Sequence, residues 1–398
     1  MPFEFATATR IVFGPGRVTE LGSVAAGFGN SALWVTGSTP ERHSRIASLL
    51  TAAGVRITSF RVIGEPSVDD VERGVAAARN GGCQWVVACG GGSVIDAGKA
   101  IAALITNRRP ILDYLEIVGL GKPLEESPLP FVAIPTTAGT GAEVTRNAVL
   151  SVPQHRVKVS LRSPQMLPTL ALVDPDLTLD LPRFLTAATG LDALTQLIEP
   201  FVSKRANPLT DGLCREGLLK AATAFPLVLA DGSNRVAREA MSLASLLGGL
   251  ALANAGLGAV HGFAGPLGGR YPAPHGALCA ALLAPVCEAN WRRLQNGPAP
   301  TGIAARYDEV ARLLTGRPTA VARDGFDWIR NQVAEAEIPG LSHWGVRRED
   351  FDDLIPKAAA AGSMKGNPVL LTGDELRAVV ESALNEGQSH SAVGTLSL

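Results

Sequence analysis

The feature that most constrains the fold is a regular alternation of short apolar runs with amphipathic segments in the first 137 residues. Residues 38–54, 67–82 and 93–107 show the three- and four-residue apolar spacing of helices that cover a core. Three intervening runs are short and apolar, SALWVTG (31–37), QWVVACGGG (84–92) and FVAIPTT (131–137), and a fourth, VRITSFRVI (55–63), is β-branched and alternating. Because strands that alternate with helices form parallel sheets, we predict an α/β domain with a doubly wound parallel sheet.

The pattern changes near residue 180. Beyond it, long segments rich in alanine and leucine keep helical spacing, and strand-like runs nearly disappear. A chain of 398 residues is long enough for two or three domains. We therefore expect a dinucleotide-binding α/β domain over residues 1–180 and an all-α domain for metal and substrate over residues 181–398.

Charge and cysteine content restrict the partners and the compartment of the chain. Its net charge of −1 provides no basic field for nucleic acid or for an anionic membrane. The five cysteines are odd in number and lack CxxC spacing, which favours small buried thiols in a reducing compartment. The N-terminus has no apolar signal segment, and the most apolar stretch, residues 246–260, is interrupted by glycines and an asparagine. We expect a cytoplasmic protein with neither nucleic-acid nor membrane partners.

Two loops rich in glycine and threonine follow predicted strands. Gly90–Ser93 (GGGS) joins a strand to a helix, where glycines permit close approach of a ligand and the helix N-terminus offers free N–H groups to a phosphate. PTTAGTGAEVT (135–145) adds hydroxyl groups that can bind ribose and phosphate oxygens. Because the carboxyl ends of parallel strands share one edge of a sheet, the two loops predict a nucleotide site there. The alternatives are a tight strand–helix turn and a solvated threonine-rich loop.

The end of the run SALWVTG bears on the choice of coenzyme. An acidic residue at such a position binds the ribose 2′-hydroxyl of NAD and repels the 2′-phosphate of NADP. Here the position is Gly37, followed by Ser38 and Thr39, with Arg42 nearby. This uncharged, hydroxyl-bearing site favours NADP over NAD, although Ser38 and Thr39 could instead simply cap the following helix.

Five motifs taken together resemble the iron-containing (group III) alcohol dehydrogenase family. They are GGGSVIDAGKA (90–100), PTTAGTGAEVT (135–145), LVDPDLT (172–178), GLDALTQLIEPFVS (190–203) and GAVHGFAGPLGGRYPAPHG (258–276). The resemblance implies an architecture shared with dehydroquinate synthase. It consists of a dinucleotide-binding α/β domain, a helical domain, and a cleft between them for nicotinamide and a divalent metal.

The resemblance also implies a set of coenzyme contacts in addition to Gly37 and Ser38. The family's pyrophosphate loop falls on Gly91, Gly92 and Ser93, with Asp96 just behind. Its nicotinamide and ribose contacts fall on Thr136, Thr137, Thr140 and Thr145. Lys158 matches a lysine near the coenzyme phosphates, and Leu177 matches a position that flanks the coenzyme.

The family holds its metal with one aspartate and three histidines, and this chain departs from that pattern. The resemblance places three ligands on Asp192, His261 and His275, but the position four residues after the aspartate is Gln196. Because an amide oxygen is a weaker ligand than imidazole, we expect a weakened site for iron, zinc or manganese. The alternative is a metal-free pair of hydrogen-bonded core histidines with Gln196 as their amide partner.

A further family histidine, which handles protons, corresponds to Gly265. Gly262 and Gly265 are both small, and we expect them to leave room for a substrate larger than ethanol.

We therefore expect an NAD(P)-dependent oxidoreductase that interconverts a small-molecule alcohol and an aldehyde or ketone, with His261 and His275 as catalytic residues. Two alternatives remain open: a metal-independent reductase of the maleylacetate reductase type, and a non-enzymatic dinucleotide-binding sensor. A lyase similar to dehydroquinate synthase is disfavoured, because the helical domain shows no cluster of lysine and arginine for a phosphate. The family habit implies a homodimer or larger assembly, and an edge strand near residues 11–16 could pair between subunits.

Overall fold

A computed structural model describes residues 2–155, 157–296 and 302–385. The chain divides into two compact units: the first is Phe5–Asp180, and the second is the region from Leu181 onward together with the residues before Phe5. The C-terminal end of the predicted helical domain, residues 386–398, lies outside the described residues.

The first unit is built on a parallel sheet. The strands of this unit, including two outside the parallel sheet, are β1 (Arg10–Phe13), β2 (Ser31–Thr36), β3 (Arg56–Arg61), β4 (Trp85–Gly90), β5 (Phe131–Pro135), β6 (Asn147–Val152), β7 (Val157–Arg162) and β8 (Leu170–Val173). Its helices are α1 (Leu21–Ala25), α2 (Ser44–Ala52), α3 (Val68–Asn80) and α4 (Gly92–Thr106). The sheet has the strand order β1-β8-β5-β4-β2-β3, and each neighbouring pair is parallel.

Both faces of the sheet are covered, which confirms the predicted doubly wound α/β fold. Leu33 and Val35 of β2 belong to a core shared with α3 and α4, whereas Ala32 and Trp34 belong to a core shared with α1 and α2. Successive side chains of a strand point to opposite faces, so a strand buried on both sides must be apolar throughout. This is why the strand segments stood out as continuous apolar runs.

The sequence patterns did not predict the antiparallel pair β6–β7, which lies outside the main sheet. Its strands alternate buried and partly exposed residues, and polar residues such as Ser151 and Lys158 interrupt the apolar pattern. Strand β1 lies at the edge of the sheet and pairs with β8. The prediction of an edge strand near residues 11–16 is therefore correct in position, whereas its pairing between subunits stays a prediction.

The described residues of the second unit contain helices and no strand. The helices are α5 (Arg183–Val202), α6 (Pro208–Ala230), α7 (Arg235–Ala255), α8 (Ala259–Arg270), α9 (His275–Asn296), α10 (Ile303–Thr315), α11 (Ala322–Glu335), α12 (Phe351–Ala360) and α13 (Gly373–Leu384). Helix α5 is central, because α6, α7 and α9 all pack against it and almost all of its residues are buried. Any polar side chain on α5 therefore needs a partner inside the protein.

Helix α7 is long and apolar enough to cross a membrane by length and composition alone. However, 61% of its most apolar window is buried inside the protein. Such burial is typical of a core helix, whose apolar residues face other helices.

Candidate metal and coenzyme sites

Three helices of the second unit bring four potential metal ligands together. Helix α5 carries Asp192, α8 carries His261, and α9 carries both His275 and Cys279. Their ligand atoms all lie within 4.8 Å of one another. Because His275 and Cys279 are four residues apart, they lie on the same face of α9. We refer to Asp192, His261, His275 and Cys279 as the metal cluster.

A glycine allows α9 to approach α5 closely enough to form the metal cluster. A Cβ atom on Gly276, directly after His275, would lie 2.2 Å from the backbone oxygen of Ala188 on α5. This is far inside van der Waals contact, and the atom opposite is backbone and cannot rotate away. A larger residue at this position would push the start of α9, and with it His275, away from α5.

Two buried oxygen atoms on α5 lack hydrogen-bond donors, and one of them lies beside the histidines. Oδ1 of Asp192 lies 3.5 Å from Nε2 of His261 and 3.7 Å from Nε2 of His275, and it accepts no hydrogen bond from the described residues. Oε1 of Gln196, one turn further along α5, is likewise buried without a donor. An unsatisfied buried polar group costs about 1–3 kcal/mol. The unpaired oxygen of Asp192 next to two imidazoles indicates that a cation is the missing partner, so the residues present fit a divalent metal.

The structure adds Glu199, which the sequence analysis missed. Oε2 of Glu199 lies 2.6 Å from Nδ1 of His261, and Oε1 accepts a hydrogen bond from the backbone N–H of Val260 at 2.7 Å. When Nδ1 carries the proton and donates a hydrogen bond to Glu199, Nε2 is free to present its lone pair towards Asp192 and Cys279, as metal-binding histidines do. A signal was available, since Glu199 follows Asp192 by seven residues and lies on the same face of the helix.

The charges of the metal cluster favour a further positive charge. Burial lowers the pKa of His261, but its interactions with the neighbouring Cys279, Glu199 and Asp192 outweigh that effect, and the pKa stands well above its usual value. Burial also opposes protonation of His275, yet Cys279 and Asp192 raise its pKa to about 9. Burial would raise the pKa of Asp192, but the two imidazoles lower it. The same field that holds protons on the histidines would attract a metal ion in their place.

The two small residues on α8 differ in their surroundings. A Cβ atom on Gly265 would meet no atom within 4 Å, so this position is open, as expected. A Cβ atom on Gly262 would lie 2.8 Å from Cε of Met364. The expectation that Gly262 leaves room for substrate is therefore wrong, because the methionine side chain already fills that space.

In the first unit, the two loops predicted to bind nucleotide pack against each other. A Cβ atom on Gly91 would lie 3.4 Å from Cγ2 of Thr137, and one on Gly92 would lie 2.7 Å from Oγ1 of Thr140. Helix α4 begins at Gly92, and no side chain caps its N-terminus. The first N–H groups of this helix, at Gly92 and Ser93, are therefore suited to bind a phosphate.

Asp96 and Thr145 are joined by a buried lysine that the sequence analysis did not single out. Nζ of Lys99 donates to Oγ1 of Thr145 at 2.8 Å and lies 3.2 Å from Oδ1 of Asp96. The other carboxylate oxygen of Asp96 accepts a hydrogen bond from the backbone N–H of Val149 on β6. These contacts fix the threonine-rich loop against α4 and β6, while direct contact of Asp96 and Thr145 with coenzyme stays a prediction.

The remaining predicted coenzyme residues lie at separate places in the first unit. The backbone N–H of Thr136 donates to the backbone oxygen of Gly90, which joins the starts of the two loops. A Cβ atom on Gly37, directly after β2, would lie 3.6 Å from Val94 on α4. Lys158 on β7 lies 3.4 Å from the carboxylate of Glu65, and Leu177 packs against the core on the α1 and α2 side of the sheet. Gly37 and Thr136 therefore lie near the GGGS loop, whereas Lys158 is paired with a carboxylate.

Two family descriptions match consecutive parts of the chain. The one described as "Iron-containing alcohol dehydrogenase" matches residues 8–175, and the one described as "Fe-containing alcohol dehydrogenase family, C-terminal" matches residues 186–384. Alcohol dehydrogenase 4 of Schizosaccharomyces pombe is 35% identical over 344 residues, which cover 86% of this chain and 79% of that protein. The 1,3-propanediol dehydrogenase of Klebsiella pneumoniae is 34% identical over 391 residues, which cover 96% of this chain and 98% of that protein.

Solved structures show the same similarity. The crystal structure of a 1,3-propanediol oxidoreductase matches with a TM-score of 0.88 at 34% identity and covers 96% of this chain and 100% of its own. The structure of sulfoacetaldehyde reductase from Bifidobacterium kashiwanohense in complex with NAD+ matches with a TM-score of 0.85 at 30% identity. It covers 96% of this chain and 99% of its own.

Proposed function

Because the chain belongs to the iron-containing alcohol dehydrogenase family, we propose that a divalent metal held by Asp192, His261 and His275 serves its reaction. The chain interconverts an alcohol and an aldehyde or ketone by hydride transfer with NAD(P). When bound, a divalent metal in this cluster would supply Lewis-acid chemistry toward the oxygen of the substrate. The observation that carries the proposal is the unpaired, buried Oδ1 of Asp192 between two imidazoles.

The protein groups of the metal cluster have distinct tasks in this reaction. Glu199 orients His261 and fixes the position of its proton on Nδ1. The His275 side chain is 35% exposed, whereas that of His261 is 8% exposed, so substrate and water reach the cluster beside His275. With Gly265 in place of the family's proton-handling histidine, water on this open side carries the substrate proton to and from solvent.

We propose that the substrate is a short primary alcohol, or its aldehyde, that carries a second polar group. Relatives at 33–34% identity are named for 1,3-propanediol, choline and 4-hydroxybutyrate, all of which are primary alcohols of this kind. The space beside Gly265 supports a substrate with more atoms than ethanol.

Turnover of reduced coenzyme with a panel of aldehydes tests the proposal. We would compare the wild type, Asp192→Asn and the control Asp231→Asn, which changes an exposed aspartate outside the metal cluster. We expect Asp192→Asn to lose bound metal and to lower kcat/KM by at least about 100-fold, since metal ligation requires the charged carboxylate. Full activity after complete metal removal would instead favour a metal-independent reductase.

We further propose that NADP(H) is the preferred coenzyme. Gly37 offers no carboxylate to repel a 2′-phosphate, and the guanidinium of Arg61 donates to the backbone oxygen of the adjacent Ser38. A side chain fits at position 37, because a Cβ atom there makes ordinary contact with Val94. We expect Gly37→Asp to lower kcat/KM for NADPH relative to NADH by about tenfold or more, and the isosteric Gly37→Asn to change the ratio little. Equal ratios in the two variants would overturn the preference.

Finally, we propose a cytoplasmic homodimer or larger assembly. All five cysteines are free thiols, which suits a reducing compartment. Strand β1 lies at the end of the sheet order, where a second copy of the chain could add a strand. Light scattering of the purified protein measures the mass of the assembly, and a monomer at micromolar concentration would contradict the proposal.

A further inference from the structure

The metal cluster contains a ligand that the family pattern of one aspartate and three histidines does not include. Cys279 lies one turn after His275 on α9 and is fully buried. Its Sγ lies 3.6 Å from Nε2 of His275 and 3.9 Å from Nε2 of His261. The other four cysteines do not belong to the cluster. The protein therefore has a thiol in the same site in which the third family histidine is replaced by Gln196.

We propose that the thiolate of Cys279 is a metal ligand that compensates for the missing third histidine and makes the site selective for zinc over iron(II). The inference rests on the proposed function, since it requires that the metal cluster binds a metal. It goes beyond that function in naming the fourth ligand and the preferred metal.

The spacing of the ligand atoms supports a site with four protein ligands, to which the substrate oxygen would add as a fifth ligand. Four ligands bonded to zinc at about 2.0–2.3 Å in a tetrahedron lie about 3.3–3.8 Å from one another. The oxygen of Asp192 lies 3.5 and 3.7 Å from the two Nε2 atoms, and Sγ of Cys279 lies 3.6 and 3.9 Å from the same atoms. The oxygen–nitrogen distances are too long for good hydrogen bonds. Four of the six separations are therefore close to those of ligands around one zinc ion, and all six are within 4.8 Å.

The charge of the thiolate also suits a buried site. Metal binding releases to solvent the thiol proton of Cys279 and the protons held on Nε2 of the two histidines, after which the ligand charges of Cys279 and Asp192 together balance those of a dication. A neutral complex costs less to bury in a helical core than one with a net positive charge. Gln196 is uncharged and its amide oxygen is a hard donor, so it supplies neither the charge nor the affinity for zinc that a soft sulfur provides.

Cobalt(II) is the probe for the sulfur ligand, because thiolate ligation to cobalt gives an intense near-ultraviolet charge-transfer band. The full chain would be freed of metal under reducing conditions and titrated with cobalt(II). The variants are Cys279→Ser and the matched control Cys287→Ser, which removes another buried thiol from the same helix. Zinc affinity and the preference for zinc over iron(II) would be measured by competition in the same samples.

We expect the charge-transfer band in the wild type and in Cys287→Ser, and its loss in Cys279→Ser. We also expect Cys279→Ser to bind zinc at least about 100-fold more weakly, since removal of a ligand costs more than removal of an outer-shell partner. Stoichiometric cobalt binding without the band would overturn the thiolate ligand while leaving metal-assisted catalysis intact. Failure of the wild type to bind any of these metals would overturn both proposals.

Discussion

Replacing Glu199 with glutamine tests how strictly the protein controls the proton of His261. The substitution keeps the size of the side chain, and its amide oxygen can still accept from the backbone N–H of Val260. The other end, which lies 2.6 Å from Nδ1 of His261, becomes an N–H donor. Two N–H groups cannot hydrogen-bond to each other, so His261 must carry its proton on Nε2. That nitrogen faces Asp192 and Cys279 and is then blocked as a ligand.

The size of the effect follows from two independent arguments. A hydrogen bond to a charged group contributes about 1.5–3 kcal/mol, and Glu199→Gln removes one such bond from a buried site. Loss of an outer-shell partner of a metal-binding histidine typically lowers metal affinity about 10–100-fold, which corresponds to about 1.4–2.7 kcal/mol. The two values agree, and we expect the Kd for zinc to rise about 10–100-fold.

The assay is competition between the protein and a chromophoric chelator for zinc. Glu216→Gln on α6 is the control, because Glu216 is half-exposed and pairs with Lys220 at the helix surface. Thermal unfolding of the metal-free proteins shows whether Glu199→Gln also damages the fold. An affinity for zinc within about twofold of the wild type, in a folded Glu199→Gln variant, would refute the proposed control of the His261 proton.

Three further predictions concern other residues. Gly92→Ala places a methyl group 2.7 Å from Oγ1 of Thr140, and a clash of this kind costs about 1–3 kcal/mol. We therefore expect the affinity for NADPH, measured by fluorescence, to fall about tenfold. The control Gly212→Ala, where a methyl group meets open space, should have no effect. Burial raises the pKa of Glu143 from 4.5 to about 7. Between these pH values the folded state retains a proton that the unfolded chain releases. The free energy of unfolding in urea should therefore fall between pH 4.5 and 7 by at most about 3 kcal/mol. Glu143→Gln should remove this dependence of the free energy of unfolding on pH. Gly265→His should leave the unfolding temperature within a few degrees of the wild type, because the position is open, but should lower kcat/KM for long aldehydes more than for acetaldehyde.

Much of the first unit could be predicted, because its elements have local signatures. β2 and β4 are buried on both sides and mostly apolar, and the capping box of Ser67 and Asp70 starts α3 where the sequence predicts a helix. The hairpin β6–β7 was missed because its polar residues break the apolar pattern. The pairing of Lys99 with Asp96 and Thr145 was missed because a lysine in a helical segment is normally exposed, and only three-dimensional packing shows that it is buried.

By itself, the sequence determined the alternation of strands and helices from β2 to β5, the transition to an all-α region, and, through the family resemblance, the Asp192, His261 and His275 positions. These features depend on periodicities and motifs within short stretches of chain. Only the tertiary structure decided that Cys279 and Glu199 belong to the same site. The reason is that the partners of a buried polar group come from helices that are distant along the chain, here α5, α8 and α9. The absence of a side chain at Gly276 lets α9 approach α5 closely, and no local pattern in the sequence shows this contact.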